Sequence, residues 1–399
     1  MAKLGDVFTL IRNGASIKQT EGAGGFPITR IETIANRKVD HKKFGYADIV
    51  DITKYESYVL QDGDILMSHI NSEKHLGKVA LYKKQANEQI IHGMNLLLLR
   101  ANPKILLPAY AAYYFETPAF LWQVQRITKK SVNQASFTVT ALKEVEIPLP
   151  SLDTQRRIAA ILDKVTDLIA QRRAQLDKLD LLVKSRFVEM FGDPVLNPNR
   201  YKIQSLQSLI DEGIITYHLD GNHGSDYPRS EEFVDSGVPY IGANCIKNGI
   251  IDFSLAKCLT QERAAKLRKG IAQNGDVLFA HNATVGPVVV LETDEPKIIL
   301  STSLTAYRCN RKVILSNYLK AYMLSDGFIR QYSEEMKQTT RNQVPITAQR
   351  KYLFMVPPIA QQKEFDSFVA YTDKAKAQIE ISLDKIEILK NSLMQKYFE

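Results

Sequence analysis

The sequence predicts an α+β (mixed α/β) fold with two similar globular domains joined by two long antiparallel helices that form an intramolecular coiled coil. Three observations carry this: one internal duplication, turn and apolar-strand signals repeated in each copy, and a heptad pattern after each copy.

The duplication is read by laying the halves in parallel. Phe26-Pro27-Ile28 resembles Val238-Pro239-Tyr240, and QDGDIL from Gln61 resembles QNGDVL from Gln273, both offset by 212 residues. Arg100-Ala101-Asn102 matches Arg308-Cys309-Asn310 at an offset of 208, and Ala112-Tyr113 and Asn133-Gln134 match Ala321-Tyr322 and Asn342-Gln343 at 209. Pro148-Leu149-Pro150 followed by Gln155 resembles Pro357-Pro358 followed by Gln362. Matches in one order with a slowly drifting offset indicate a repeat. The drift falls in the stretch from Asp64 to Gly77, three residues longer than that from Asp276 to Gly286.

Local chemistry agrees. Asp62-Gly63 and Asn274-Gly275 are favoured hairpin-turn pairs, because these residue types tolerate positive φ. Each precedes a short apolar strand, Ile65-Leu66-Met67 or Val277-Leu278-Phe279. A second apolar run follows, and then an aromatic-rich helical stretch, Pro108 to Gln125 or Asn317 to Tyr332. Asp62 and Asp64 are thus expected as turn residues rather than as a catalytic pair.

Each globule leads into a helix. Ile158, Leu162, Val165, Ile169, Leu176, Leu179, Val183 and Met190 recur in steps of a coiled-coil seam, interrupted by Arg172 and Arg186. Ser151 is a candidate N-cap, and Gly192-Asp193-Pro194 a stop. The second seam is Phe365, Phe368, Thr372, Ala375, Ile379, Ser382, Ile386, Leu389 and Leu393. Such stripes need cover, and packing them on each other antiparallel sets one globule at each end of a rod, with a parallel or intermolecular coiled coil as the competing reading. The expected organisation is residues 1–150 and 194–358 as globular domains, with 151–193 and 359–399 as spacer helices.

Bulk properties set the class. The 399 residues suit two or three domains. Lys and Arg number 52 against 44 Asp and Glu, for a net charge of +8, a balance that suits a nucleic-acid partner. Cys245, Cys258 and Cys309 are too scattered for a disulfide framework or zinc site, which points to a reducing cytoplasm. Residues 1–16 lack the apolar core of a signal peptide, and no apolar run approaches the ~20 residues of a membrane span. There is no phosphate-binding loop, methyltransferase signature or metal-ligand spacing. The chain is therefore expected not to be an enzyme.

Two similar globules related by a half rotation match the pseudo-symmetry of a DNA duplex. The doubled order of Pro-hydrophobic-aromatic, Gly-Asp-Ile/Val-Leu, Pro-rich turn, Gln and long helix resembles the specificity subunit of type I restriction-modification systems, over nearly the whole chain. The resemblance implies two target-recognition domains and a bipartite, asymmetric double-stranded DNA target. It also implies helices that dock methyltransferase (modification) subunits, two of them, with restriction motor-nuclease subunits joining for cleavage. No cofactor is expected on this chain, S-adenosylmethionine and ATP belonging to the partners. One departure is the absence of Gly from the loop before the last strand of each domain, Lys130 to Gln134 or Thr340 to Gln343. The competing reading is a coiled-coil scaffold that binds only proteins.

Base edges are read by donors and acceptors, while Lys and Arg mostly hold phosphates. Polar residues on loops found in both halves are the candidates for DNA contact. They are Ser68, His69, Asn71 and Lys74 with partners His281, Asn282 and Thr284, and Lys129, Lys130, Asn133 and Gln134 with partners Lys337, Thr339, Arg341, Asn342 and Gln343. Arg30 and Asn244 follow the matched proline strands. Tyr217, His218, Asn222, His223 and Arg229 lie in a polar-aromatic segment of the second half. Structural histidines and solvated loops are the competing readings, and the sequence leaves both open.

Overall fold

The computed structural model describes residues 1–20, 24–34, 38–131, 134–336 and 342–399. The chain separates into two compact units, Met1–Arg173 with Glu380–Glu399, and Ala174–Ile379.

The first unit is built on a four-stranded antiparallel sheet in the order Phe8–Asn13, Leu97–Ala101, Ile65–Met67, Val79–Leu81. Ile65 and Met67 face one apolar cluster and Leu66 another, so both faces are covered. That explains an uninterrupted apolar run where a half-exposed strand would alternate. Helices Pro108–Tyr114 and Pro118–Ile127 pack on one face, each starting with a proline where no hydrogen bond is lost. A smaller sheet, Gln19–Thr20, Gly45–Ala47 and Phe26–Ile28, is continued by single bridges from Ile28 to Ile91 and from Ile91 to Val59.

The second unit repeats this plan. Its four-stranded sheet runs Ile215–Asp220, Leu304–Cys309, Val277–Asn282, Thr284–Val290. The smaller sheet grows to five strands, Phe233–Val234, Lys257–Leu259, Val238–Ile241, Ile298–Leu300 and Ile271–Ala272. Here Tyr240 pairs parallel with Ile299 and Ile271 pairs with it antiparallel, matching the bridges of Ile28, Ile91 and Val59.

The Asp62-Gly63 and Asn274-Gly275 turns form, with Gly63 at φ +84° and Gly275 at φ +86°. They are not hairpins. Each is a β-turn closed by Asp64 N–H donating to the Gln61 carbonyl or Asp276 N–H donating to that of Gln273, both at 3.0 Å. The chain leaves each turn in a different sheet from the one it came from, because Val59 and Ile271 pair with Ile91 and Ile299. Asp64 and Asp276 then stay buried and accept three bonds each, two from Arg100 at 2.7 Å or Arg308 at 2.8 Å and one from the N–H of Gln61 or Gln273. They are structural carboxylates.

The repeated Gln has the same explanation in both units. Gln155 accepts from Leu107 N–H at 2.8 Å and donates to the carbonyls of Ile105 and Pro150 at 2.9 Å. Gln362 accepts from Leu315 N–H and donates to Val313 and Pro357. Each buried amide ties the sheet-to-helix connection to the foot of a long helix. Tyr114 and Tyr322 donate to the carbonyls of Glu146 and Leu353, at 2.9 Å in both units. Tyr322 therefore corresponds to Tyr114, one residue from the Tyr113 that sequence matching selects. Local identity misled there because two tyrosines stand side by side.

The long helices are Leu152–Phe191 and Ile359–Phe398. In the first unit, Ile158 and Leu162 share a core with Leu393 and Phe398, and Arg173 pairs with Glu387 at 2.7 Å, so the segments run antiparallel. In the second unit, Phe187 and Phe191 pack against Phe365, Arg186 pairs with Glu364 at 2.7 Å, and Lys376 with Asp180 at 2.6 Å, again antiparallel. Two seam expectations fail. Leu389 is exposed, Lys390 taking the inward place to reach Glu116 at 3.2 Å. Phe187 and Phe191, outside the predicted seam, are buried, because near the globule the helix is covered by the domain core rather than by its partner helix alone.

Candidate nucleic-acid interface

Pairing brings the two candidate loop segments of each half together. In the first unit, Ile70–Asn71 pairs with Ala135–Ser136, which pairs with Lys129–Lys130. Phe137 N–H donates to the His69 carbonyl at 3.2 Å. In the second, Asn282 bridges Gln343, and Val344 N–H donates to the His281 carbonyl at 2.8 Å. Phe137 thus corresponds to Val344, and the Asn-Gln pairs matched by sequence lie out of register. The Asn342 side chain donates to the Ala283 carbonyl at 2.7 Å.

What these ribbons present outward is polar and basic in the first unit. Lys74, Lys129, Lys130 and Gln134 are exposed and Asn71 half-buried. Lys130 pairs with Glu73 at 2.8 Å, a solvent-screened pair that a phosphate could replace. In the second unit Thr284 and Asn342 are exposed, and Asn282 and Gln343 half-buried. Asn133, Lys337, Thr339 and Arg341 lie outside the described residues.

Several expected readers are interior instead. His69 is buried edge-on to Phe137, and desolvation lowers its pKa to about 4. His281 is buried with Nδ1 2.9 Å from the Val344 carbonyl oxygen, and burial lowers its pKa. His218 lies 3.2 Å from Gln349 and edge-on to Tyr307, its pKa also lowered by desolvation to about 4. Neutral imidazoles of this kind brace the sheet ends. Ser68 is buried, its backbone paired with Lys78 and Gly77. Asn222 is buried and bonds both the carbonyl and the N–H of Lys269. The Tyr217 hydroxyl accepts from Ile271 N–H while its ring lies under Arg308. Their burial, only partial for Tyr217, corrects the surface reading: these side chains serve the fold. His223, exposed, is held 2.7 Å from Asp220, and Arg30 by Gln19 at 2.6 Å.

Arg229 and Asn244, distant in sequence, line one cavity of about 590 Å³ in the second unit. Its other walls, including Tyr240, Lys257 and Ser301 to Ser303, were not singled out from sequence, since only the smaller sheet gathers them. Among the described residues no group of three His, Cys, Asp or Glu could hold a metal, and no helix is long and apolar enough to cross a membrane.

The model of the type I restriction modification DNA specificity domain matches twice, at residues 1–180 and 219–387. The chain belongs to the type I restriction-modification DNA specificity family. A Methanocaldococcus jannaschii protein named as the MjaX type I restriction enzyme specificity subunit is 30% identical over 96% of this chain and 90% of its own length. The EcoKI specificity subunit of Escherichia coli K12 is 27% identical over 41% of this chain and 34% of its own. The type I S subunit of M. genitalium shares the fold, with a TM-score of 0.58 at 15% identity over 100% of this chain and 95% of that one. As a member of this specificity family the chain is a non-catalytic DNA-recognition subunit that works with other restriction-modification subunits.

Proposed function

We propose that each unit reads one part of a bipartite, asymmetric double-stranded DNA target on behalf of methyltransferase and restriction subunits. One observation carries this reading: the same sheet, and the same pairing of its His69 or His281 end with a distant loop segment, recur in both units, while the side chains just after that end differ, Ile70 and Asn71 against Asn282 and Ala283. A repeated frame with divergent donors and acceptors is what two different half-sequences require.

In this reading Lys74, Lys129 and Lys130 hold phosphates beside Asn71 and Gln134 in the first unit. Asn282, Thr284, Asn342 and Gln343 serve the second, with Arg229 and Asn244; Asn133, Lys337, Thr339 and Arg341 stay candidates for DNA contact by their sequence alone. The recognition domains are residues 1–150 and 194–358. Apolar side chains left open on the long helices support docking of two methyltransferase subunits and, through them, a motor-nuclease. They include Leu168 and Ile388 in the first unit, and Leu181, Val188 and Tyr371 in the second. S-adenosylmethionine and ATP then reside on those partners, and the assembly works in the cytoplasm. Coexpression with the methyltransferase partner and sequencing of methylated genomic adenines tests this. An asymmetric two-part motif is expected; an uninterrupted palindrome or no motif overturns it.

A further inference from the structure

The cavity in the second unit is built by parts that are far apart in sequence. One wall is Tyr227 to Glu231, from a connection longer than the corresponding one in the first unit. The floor is the turn after Val238–Ile241, closed by Ser303 Oγ, which accepts from Ala243 N–H at 2.8 Å and lies 2.7 Å from Ser301 Oγ. A Cβ on Gly242 would sit 2.8 Å from both Asn244 Oδ1 and Ser301 Oγ, so the polar groups of the floor converge on one point. Tyr240 is almost fully buried in the wall, Tyr227 is half-exposed at the mouth, and Lys257 Nζ stands 4.5 Å over the Phe233 ring.

Two features distinguish this from a structural void. Among the described residues the Asn244 amide makes no hydrogen bond and the Arg229 guanidinium no ion pair, although both line the cavity; neighbouring Glu232 is taken by Arg263 at 2.6 Å. At about 590 Å³ the cavity falls in the range of small-ligand sites. Aromatic rings suit the face of a base, an amide and hydroxyls suit its edge, and Arg229 suits a phosphate, against two nearby carboxylates, Glu231 in the lining and Glu232, which attracts Arg229 while pairing with Arg263.

We propose that this cavity is a nucleotide subsite of the second unit: base against Tyr227 and Tyr240, base edge at Asn244 and Ser301, phosphate at Arg229. Resting on the DNA-reading function, the occupant is a nucleotide of the target that has left the base stack, since a stacked base cannot enter a concave site. A free nucleotide has the same chemistry, and the experiment separates the two sources.

The test uses the complex of the full chain with its methyltransferase partner. Asn244→Ala, at an exposed position, and Arg229→Ala are compared with wild type in genomic adenine methylation and in binding of free deoxynucleoside monophosphates. For a target nucleotide, Asn244→Ala relaxes discrimination at one base of one half-target by roughly 5- to 150-fold, the other half staying unchanged, and 2-aminopurine at that base brightens on binding. For a free nucleotide, saturable monophosphate binding is lost in Arg229→Ala with methylation unaltered. Variants that melt like wild type yet alter neither property overturn the subsite. If the wild-type complex methylates no two-part motif, the DNA-reading function has failed, and monophosphate binding still decides the cavity.

Discussion

Asp64 and Asp276 accept the same bidentate bonds from Arg100 and Arg308, and Gln155 and Gln362 close the same connection. The positions around these pairs share little. Just after the matched His69 and His281, the first unit has Ile70 and Asn71 where the second has Asn282 and Ala283. Where the second unit buries Leu300, the first buries His92. Groups that hold the frame are duplicated because backbone geometry needs them; groups that meet solvent have diverged because only a partner constrains them.

Replacing residues 200–356 by the matching segment of another family member tests this division most severely. Sequencing of methylated adenines should show a new half-target with the other half untouched; change in both halves would end the modular reading. Next come the buried carboxylates. Asp64→Ala and Asp276→Ala should each cost roughly 3 kcal/mol, because an arginine is left without its partner. Urea unfolding followed by Trp122, the one tryptophan of the chain, should register the first substitution far more than the second.

His92 adds to the first unit a titrating group at a position where the second has Leu300. Its side chain is fully buried, and desolvation lowers its pKa to about 3 against an ordinary 6.5. The unfolded chain then binds the extra proton first, so stability is complete above about pH 6.5 and falls as the pH drops toward 3. His92→Leu, which copies Leu300, should remove about 2 kcal/mol of the loss between pH 7.5 and pH 5. An unaltered acid response in Trp122 fluorescence would discard this origin. The smallest effect is electrostatic. Lys129→Ala with Lys130→Ala should weaken DNA binding for every sequence and reduce the slope of log affinity against log salt by about 1 to 2; an unchanged slope removes these lysines from the interface.

The duplication, the turns at Gly63 and Gly275, the long helices and their antiparallel pairing were legible in the sequence. Each is written in local periodicity or in residues whose backbone demands are local. Half-buried Leu176, Leu179 and Val183 show the seam where it was expected, whereas the exposed Leu389 shows that periodicity says which face is apolar but not what covers it. The candidate site was legible only in part. Polar residues near loops read alike, yet His69, His218, His281 and Asn222 are interior and Lys129 and Asn342 outward.

By itself the sequence determined that there are two copies, what class they belong to and where the helices run, because repeats and heptads are properties of order along the chain. Tertiary structure alone decided which polar groups face solvent, which β-turn passes between sheets, and that Arg229 and Asn244 share a cavity. Those depend on pairing between distant strands, whose register is set by burial and hydrogen bonding across the whole unit.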